Sequence, residues 1–180
     1  MNRYLLISVS AIAVAFGIGA GIAVLQHPDL LKGGEQEELR QTLETLPDFS
    51  YTDATGRVRE SHEWISDVLV LNFWATWCPP CRAEIPGFVE LQDKYDQQNV
   101  SFVGVAIDDP EAVRKFAESF NVNYPILMGD ISAVELSKNL GNRFGGLPFT
   151  VVVDRRGFIQ HRQSGEMGMP ELDQIIQGLL

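Results

Sequence analysis

Residues 4–25 carry no charged side chain and are built mostly of Ile, Val, Ala, Leu and Gly, so the chain opens on an apolar stretch long enough to span a bilayer as a helix. Residues 26–46 turn polar. His27-Pro28 breaks the apolar run, Gly33-Gly34 is flexible, and 35–46 reads as a helix with Leu39, Leu43 and Leu46 at helical spacing, which we take as a stalk. From Pro47 the pattern changes to short, strand-like units. Residues 49–52 and 57–60 flank an Asp53-Ala54-Thr55-Gly56 turn and predict a hairpin. Residues 68–74 are almost continuously apolar, the pattern of a strand buried on both faces of a sheet.

Helical character returns at 79–97, a second apolar strand follows at 100–107, and a helix at 110–121 begins with Pro110. A helix over 132–140 stops at Gly141; strands at 149–154 and 158–163 flank Arg155-Arg156-Gly157; a helix over 170–179 closes the chain. The early strands are separated by helices and are therefore parallel, whereas the late pair is adjacent in sequence and antiparallel. This predicts an α/β fold, a mixed central sheet flanked by helices, in one domain over residues 47–180, preceded by an anchor (1–25) and a stalk (26–46).

Charge orients the whole. Of the 14 lysines and arginines only Arg3 precedes the apolar stretch, and Asp29, Glu35, Glu37 and Glu38 outnumber Lys32 just after it. The positive-inside rule then puts the N-terminus in the cytoplasm and the rest on the periplasmic or extracytoplasmic side of the cytoplasmic membrane, through a single pass. A cleaved signal peptide, with a cleavage site among the small residues of 19–23, is the alternative, although its apolar region is usually only about 7 to 15 residues. No cysteine ends the stretch, which excludes a lipoprotein. A net charge of −10 argues against nucleic acid and anionic lipid as partners.

The only two cysteines of the chain stand in Trp77-Cys78-Pro79-Pro80-Cys81, between the apolar strand and a helix. Cys78 at a helix N-terminus meets unpaired N–H groups and the positive dipole end, which stabilise a thiolate; the exposed first sulfur attacks, and Cys81, one turn deeper, resolves. A structural disulfide would constrain so short a loop little. Zinc would need further ligands, and His27, His62 and His161 show no paired spacing, so no metal is expected. Inert core thiols are the remaining alternative. Glu84, three residues after Cys81, shares its helix face and can relay a proton, or is simply a solvated carboxylate. Asn72 can hydrogen-bond beneath the cysteines or satisfy a core contact, Pro86 should kink the helix, and a cis bond is plausible at Leu147-Pro148. Asp108-Asp109 reads as a cap before Pro110 rather than a metal site.

Residues 70–86 (Val-Leu-Asn-Phe-Trp-Ala-Thr-Trp-Cys-Pro-Pro-Cys-Arg-Ala-Glu-Ile-Pro), with Gly146-Leu147-Pro148-Phe149-Thr150 before Val151-Val152-Val153-Asp154, resemble the thioredoxin superfamily, specifically the membrane-anchored TlpA/ResA-like disulfide reductases. The resemblance implies a thioredoxin fold with an N-terminal hairpin and a central insertion, Cys78 as attacking thiol and Cys81 as resolving thiol. By the same carry-over Glu84 matches the buried carboxylate of this subgroup, and Pro148 looks like its cis-proline. Trp77, Pro79, Leu147 and Pro148 become the client-contacting positions. Asn72 stands where thioredoxins have a buried aspartate, which moves proton handling toward Glu84. Phe149 departs from the Thr or Glu of many relatives, which weakens apocytochrome c as a specific client. No His lies between the cysteines, unlike strongly oxidising relatives.

The expected function is therefore reduction of disulfides in exported client proteins, including a place in cytochrome c maturation, with no cofactor beyond the Cys78–Cys81 pair and a membrane thiol-electron transporter as reductant. Two other classes remain. A thiol peroxidase on the same fold would want a Thr where Ala75 stands. A non-catalytic haem or copper client chaperone has only the scattered Met1, Met128, Met167 and Met169 in its favour.

Overall fold

The computed structural model describes residues 44–180, and the predicted anchor, with all but the end of the stalk, lies outside the described residues. Among the described residues no helix is long and apolar enough to cross a membrane. The folded body is a thioredoxin fold. A hairpin of β1 (Ser50–Thr52) and β2 (Val58–Glu60) leads through a short 3-10 helix (Ser61–Trp64) to β3 (Val68–Trp74), α1 (Pro79–Lys94), β4 (Val100–Ala106) and α2 (Pro110–Ser119). Then come β5 (Ile126–Met128), α3 (Ile131–Asn139), β6 (Phe149–Val153), β7 (Ile159–Ser164) and α4 (Met169–Leu179).

The main sheet runs β5-β4-β3-β6-β7, with β3, β4 and β5 mutually parallel and β6 and β7 antiparallel to their neighbours. All seven residues of β3 are buried, as its almost continuous apolar run predicts. Leu69, Leu71 and Phe73 face a core completed by Val151, Val153, Trp64 and, from α3, Ala133 and Leu136. Val68 and Val70 face the other way, with Phe88, Leu91 and Tyr95 of α1 or its end and Leu172 and Ile176 of α4. At the end of β3 Trp74 enters a third cluster with both cysteines, Ile85, and Val113 and Phe116 of α2.

Several boundaries differ from the sequence pattern for local reasons. α1 ends at Lys94 rather than residue 97, because Tyr95 leaves helical geometry to bury its ring. Pro86 lies inside α1 without ending it, since Phe88 and Leu91 anchor the following turns. β5 escapes the pattern because its three residues have no hairpin turn beside them. The cap falls to one of the two aspartates: Asp109 accepts from the N–H groups of Glu111 and Ala112 at 3.0 Å, leaving Asp108 for another task. Gly141 does end α3, with φ of +110° in the left-handed region that a glycine adopts freely.

Both edges of the sheet are partly occupied. Asp53 bridges to Leu127 and the Ala54 N–H donates to the Ile126 carbonyl at 2.9 Å across β5. Thr45 bridges to Phe158, and the Ile159 N–H donates to Glu44 at 2.8 Å where β7 begins. Phe88, 1% exposed, packs in a tilted pair with Phe102, ring centroids 5.7 Å apart, and joins α1 to the sheet. Phe88→Ala should therefore cost about 3–5 kcal/mol, read as a lowered urea midpoint at unchanged m-value.

Candidate active site

β3 delivers the chain to its end at Trp74, and the turn that follows places Cys78 as the N-cap of α1. The Cys81 N–H donates to Cys78 Sγ at 3.3 Å, so a helix-terminal donor points at that sulfur. Pro79 and Pro80 occupy the first turn, where a missing N–H costs no helix bond. The two cysteines form a disulfide. Both are buried, Cys78 at 3% and Cys81 at 0% exposure, so the pair is more enclosed than the sequence led us to expect and only Cys78 keeps any accessible surface. Packing against Trp74, Ala75, Ala106 and the half-buried Leu147 accounts for the difference. Among the described residues no group of three or more His, Cys, Asp or Glu is placed to hold a metal ion.

The turn before Cys78 is tied from outside. Asp108 Oδ2 accepts from the Thr76 N–H at 2.9 Å and from its hydroxyl, and Oδ1 accepts from the Asp109 N–H at 2.7 Å. Partial burial pushes the Asp108 carboxyl up, but these donors outweigh it and hold it below its usual range. Arg82 completes the tie, donating to the Thr76 carbonyl at 3.4 Å while its guanidinium lies over the rings of Phe116 and Phe120. The chain pattern marked Asp108 as half of a cap and gave no sign of this contact, which spans 32 residues.

One turn beyond Cys81, Glu84 is only 2% exposed, so the bland reading as a solvated helix carboxylate does not hold. Its Oε1 accepts from Asn72 Nδ2 at 2.8 Å and its Oε2 from the Met167 N–H at 2.9 Å. Asn72 also donates to Thr150 Oγ1 at 3.0 Å, so it serves Glu84 rather than the sulfurs. Burial pushes the Glu84 carboxyl up to about 7, opposed by the two donors and reinforced by the negative charge of Glu166. Burial and then the charge of Glu84 push the neighbouring Tyr124 phenol up as well.

The remaining sequence-marked residues fall into two groups. Trp77, at 67% exposure, and Pro79 stand at the surface beside the cysteines. Leu147 packs against the cysteine cluster, and the Leu147-Pro148 bond is cis, with Pro148 buried. Phe149 is 1% exposed and its ring lies 6.1 Å from that of Phe73, so it belongs to the core and carries no information about clients. Ala75, fully buried, offers no hydroxyl to the sulfurs. His62 has a neighbour the sequence did not reveal, Glu60 at 3.1 Å, while His161 sits on β7. A further contributor was missed: Met167 acts through its main chain, which no residue type announces.

A disulfide-forming Cys-x-x-Cys at a helix N-terminus, on this sheet, defines a thioredoxin-fold thiol-disulfide oxidoreductase. The Redoxin family matches residues 41–176, and the chain belongs to it. It is similar to the thiol-disulfide oxidoreductase ResA of Geobacillus kaustophilus, 32% identical over 136 residues that cover 75% of this chain and 76% of that one. The thioredoxin-like protein YneN of Bacillus subtilis is 33% identical over 132 residues, covering 71% and 74%. Among solved structures, a thiol:disulfide interchange protein of the thioredoxin family from Chlorobium tepidum superposes with a TM-score of 0.71 at 26% identity, covering 76% of this chain and 96% of that one.

The raised Glu84 carboxyl links the site to stability. Unfolded, the group titrates near 4.5, and folded near 7, so the native state holds the extra proton between these values. Stability is then highest below the lower value and falls as pH rises through the upper one. Glu84→Gln, which stays neutral, should be more stable than the parent above pH ~7 by about 3–4 kcal/mol and lose that advantage below pH ~4.5, as followed by urea denaturation of the oxidised protein.

Proposed function

We propose that this protein reduces disulfides in exported proteins, anchored in the cytoplasmic membrane by residues 4–25 with its catalytic domain on the extracytoplasmic side. The observation that carries the reading is the pairing of a helix-capping Cys78 with a buried carboxyl, Glu84, one turn below Cys81 on the same helix. Reduced Cys78, as thiolate, attacks one sulfur of a client disulfide; the client S–S bond breaks, a mixed disulfide forms, and the other client sulfur leaves as a thiolate that takes up a proton. Cys81 then gives its proton to Glu84 and attacks Cys78 Sγ, releasing the second client thiol and leaving the Cys78–Cys81 disulfide. The client gains two electrons and the enzyme loses two. A carboxyl that titrates near neutrality suits this exchange, because it can both accept and return the proton.

Direction follows from surroundings. No histidine stands between the cysteines to stabilise the thiolate further, and Pro79-Pro80 is found there instead. A reductant in an oxidising compartment must be supplied from within, so a membrane thiol-electron transporter is the partner we assign; the cysteine pair is the whole of the redox machinery, with no separate cofactor. Clients meet the surface formed by Trp77, Pro79 and Leu147, with the buried cis-Pro148 directly behind it. Because Phe149 is turned into the core, its identity does not weigh against cytochrome c precursors, whose Cys-x-x-Cys-His attachment pair is a client disulfide of the right kind.

The Cys81→Ser variant, expressed in cells, should accumulate mixed disulfides between Cys78 and exported proteins, while the unsubstituted pair is found largely reduced. No trapped species, together with an oxidised pair, overturns the proposal. Trp77→Ala should raise the KM for a protein disulfide about tenfold with kcat little changed, since an exposed ring loses client contact without touching the sulfurs.

A further inference from the structure

Asn72 is the only polar residue of β3, is 3% exposed, and spends its amide unevenly. Nδ2 serves both Glu84 Oε1 and Thr150 Oγ1, at 2.8 and 3.0 Å, while Oδ1 is buried without a hydrogen-bond partner. An unpaired buried carbonyl carries a desolvation cost that an apolar residue would avoid, so its presence asks for a physical reason. That reason lies in the second protonation state of Glu84. As a carboxylate, Glu84 needs donors at both oxygens, and Asn72 Nδ2 and the Met167 N–H supply them.

A neutral Glu84 carries its proton on one oxygen, which then becomes a donor. Oε2 faces the Met167 N–H, which can only donate, so the proton belongs on Oε1. Oε1–H in turn needs an acceptor where Nδ2 now stands. We propose that Asn72 is a positioning residue whose amide turns over each time Glu84 gains or loses a proton, presenting Nδ2–H to the carboxylate and Oδ1 to the acid. The same half-turn directs Oδ1 at Thr150, whose hydroxyl changes from acceptor to donor by rotating its own O–H. The unpaired Oδ1 is thus the acceptor held for the other half of the cycle. A Leu at position 72 serves neither state of Glu84, and a charged Asp there only accepts.

The groups with charge or exchangeable protons about Glu84 are Glu166 on the loop that carries Met167, Tyr124 before β5, and Cys81 one turn earlier on α1. The inference rests on Glu84 as the acceptor of the Cys81 proton; the turned amide gives the new O–H an acceptor, and it is then Nδ2 that occupies the place where Oδ1 now has no partner.

The test follows the Asn72 side-chain amide by 15N NMR in the full-length labelled protein, alongside the Glu84 carboxyl 13C resonance, from about pH 5 to 9, a range that brackets the raised carboxyl. Turnover of the amide requires the Asn72 signals to move with the midpoint of Glu84. In Glu84→Gln they should stay at their acid-side position throughout, because the Gln amide donates to Oδ1 at every pH. Asn72→Leu should raise the Glu84 midpoint by about one pH unit, since the charged form loses a donor. Asn72 signals that stay fixed while the Glu84 carboxyl titrates overturn the proposal and leave the proton relay standing. Undiminished disulfide reduction by Glu84→Gln removes the relay instead, whatever the Asn72 signals do. The measurement on the unsubstituted protein decides the matter even if Asn72→Leu fails to fold.

Discussion

Burial of β3 on both faces is the constraint on which the rest of the structure depends. Its seven side chains alternate between two buried faces of the sheet, so the strand cannot slip by one residue without exchanging every contact. That fixed register sets where the chain emerges beyond Trp74, and with it where Cys78 meets the first turn of α1. The same register places Asn72 opposite Thr150 of β6 and on the face that α1 covers, where Glu84 reaches it. A sheet strand built for packing therefore positions the chemistry at two points, one at its end and one in its middle.

The protein tolerates a costly group at the second point. Glu84 is buried with two donors and, among the described residues, no positive partner, so near neutrality its ionisation and its neutral form are closely balanced. Asp108 shows the opposite outcome. Less deeply placed and surrounded by donors from Thr76 and Asp109, it is held ionised and serves as a fixed tie on the active-site turn. Two carboxyls near one disulfide thus have separate duties because their surroundings differ.

Much of this was legible in the chain. The apolar run of β3, the Cys-Pro-Pro-Cys at the start of a helix and the late hairpin are signals carried by neighbouring residues, and each appears where the pattern puts it. What escaped depends on contacts between distant segments or on main-chain atoms. The Asp108–Thr76 tie, the Met167 N–H and the burial of Cys78 under Leu147 all require the fold to be closed before they exist. Phe149 shows the converse hazard, because its departure from the residues of many relatives seemed to bear on the client when the strand turns it toward Phe73. β5 was missed because, unlike the equally short β1 and β2, it has no hairpin turn beside it to mark its three residues as a strand.

The covered sheet edges have a bearing on the company this protein keeps. Incompletely folded chains, the proposed clients, present unpaired strand backbone at every encounter, and an open sheet edge is a template for joining them. Here β5 is short and crossed by Asp53 and Ala54, while β7 is crossed at its start by Glu44 and Thr45, carries a register break and has Arg162 paired with Glu44 on its flank. The domain can thus hold a client by one sulfur without also offering it a strand to copy, which keeps a transient covalent encounter from maturing into co-aggregation.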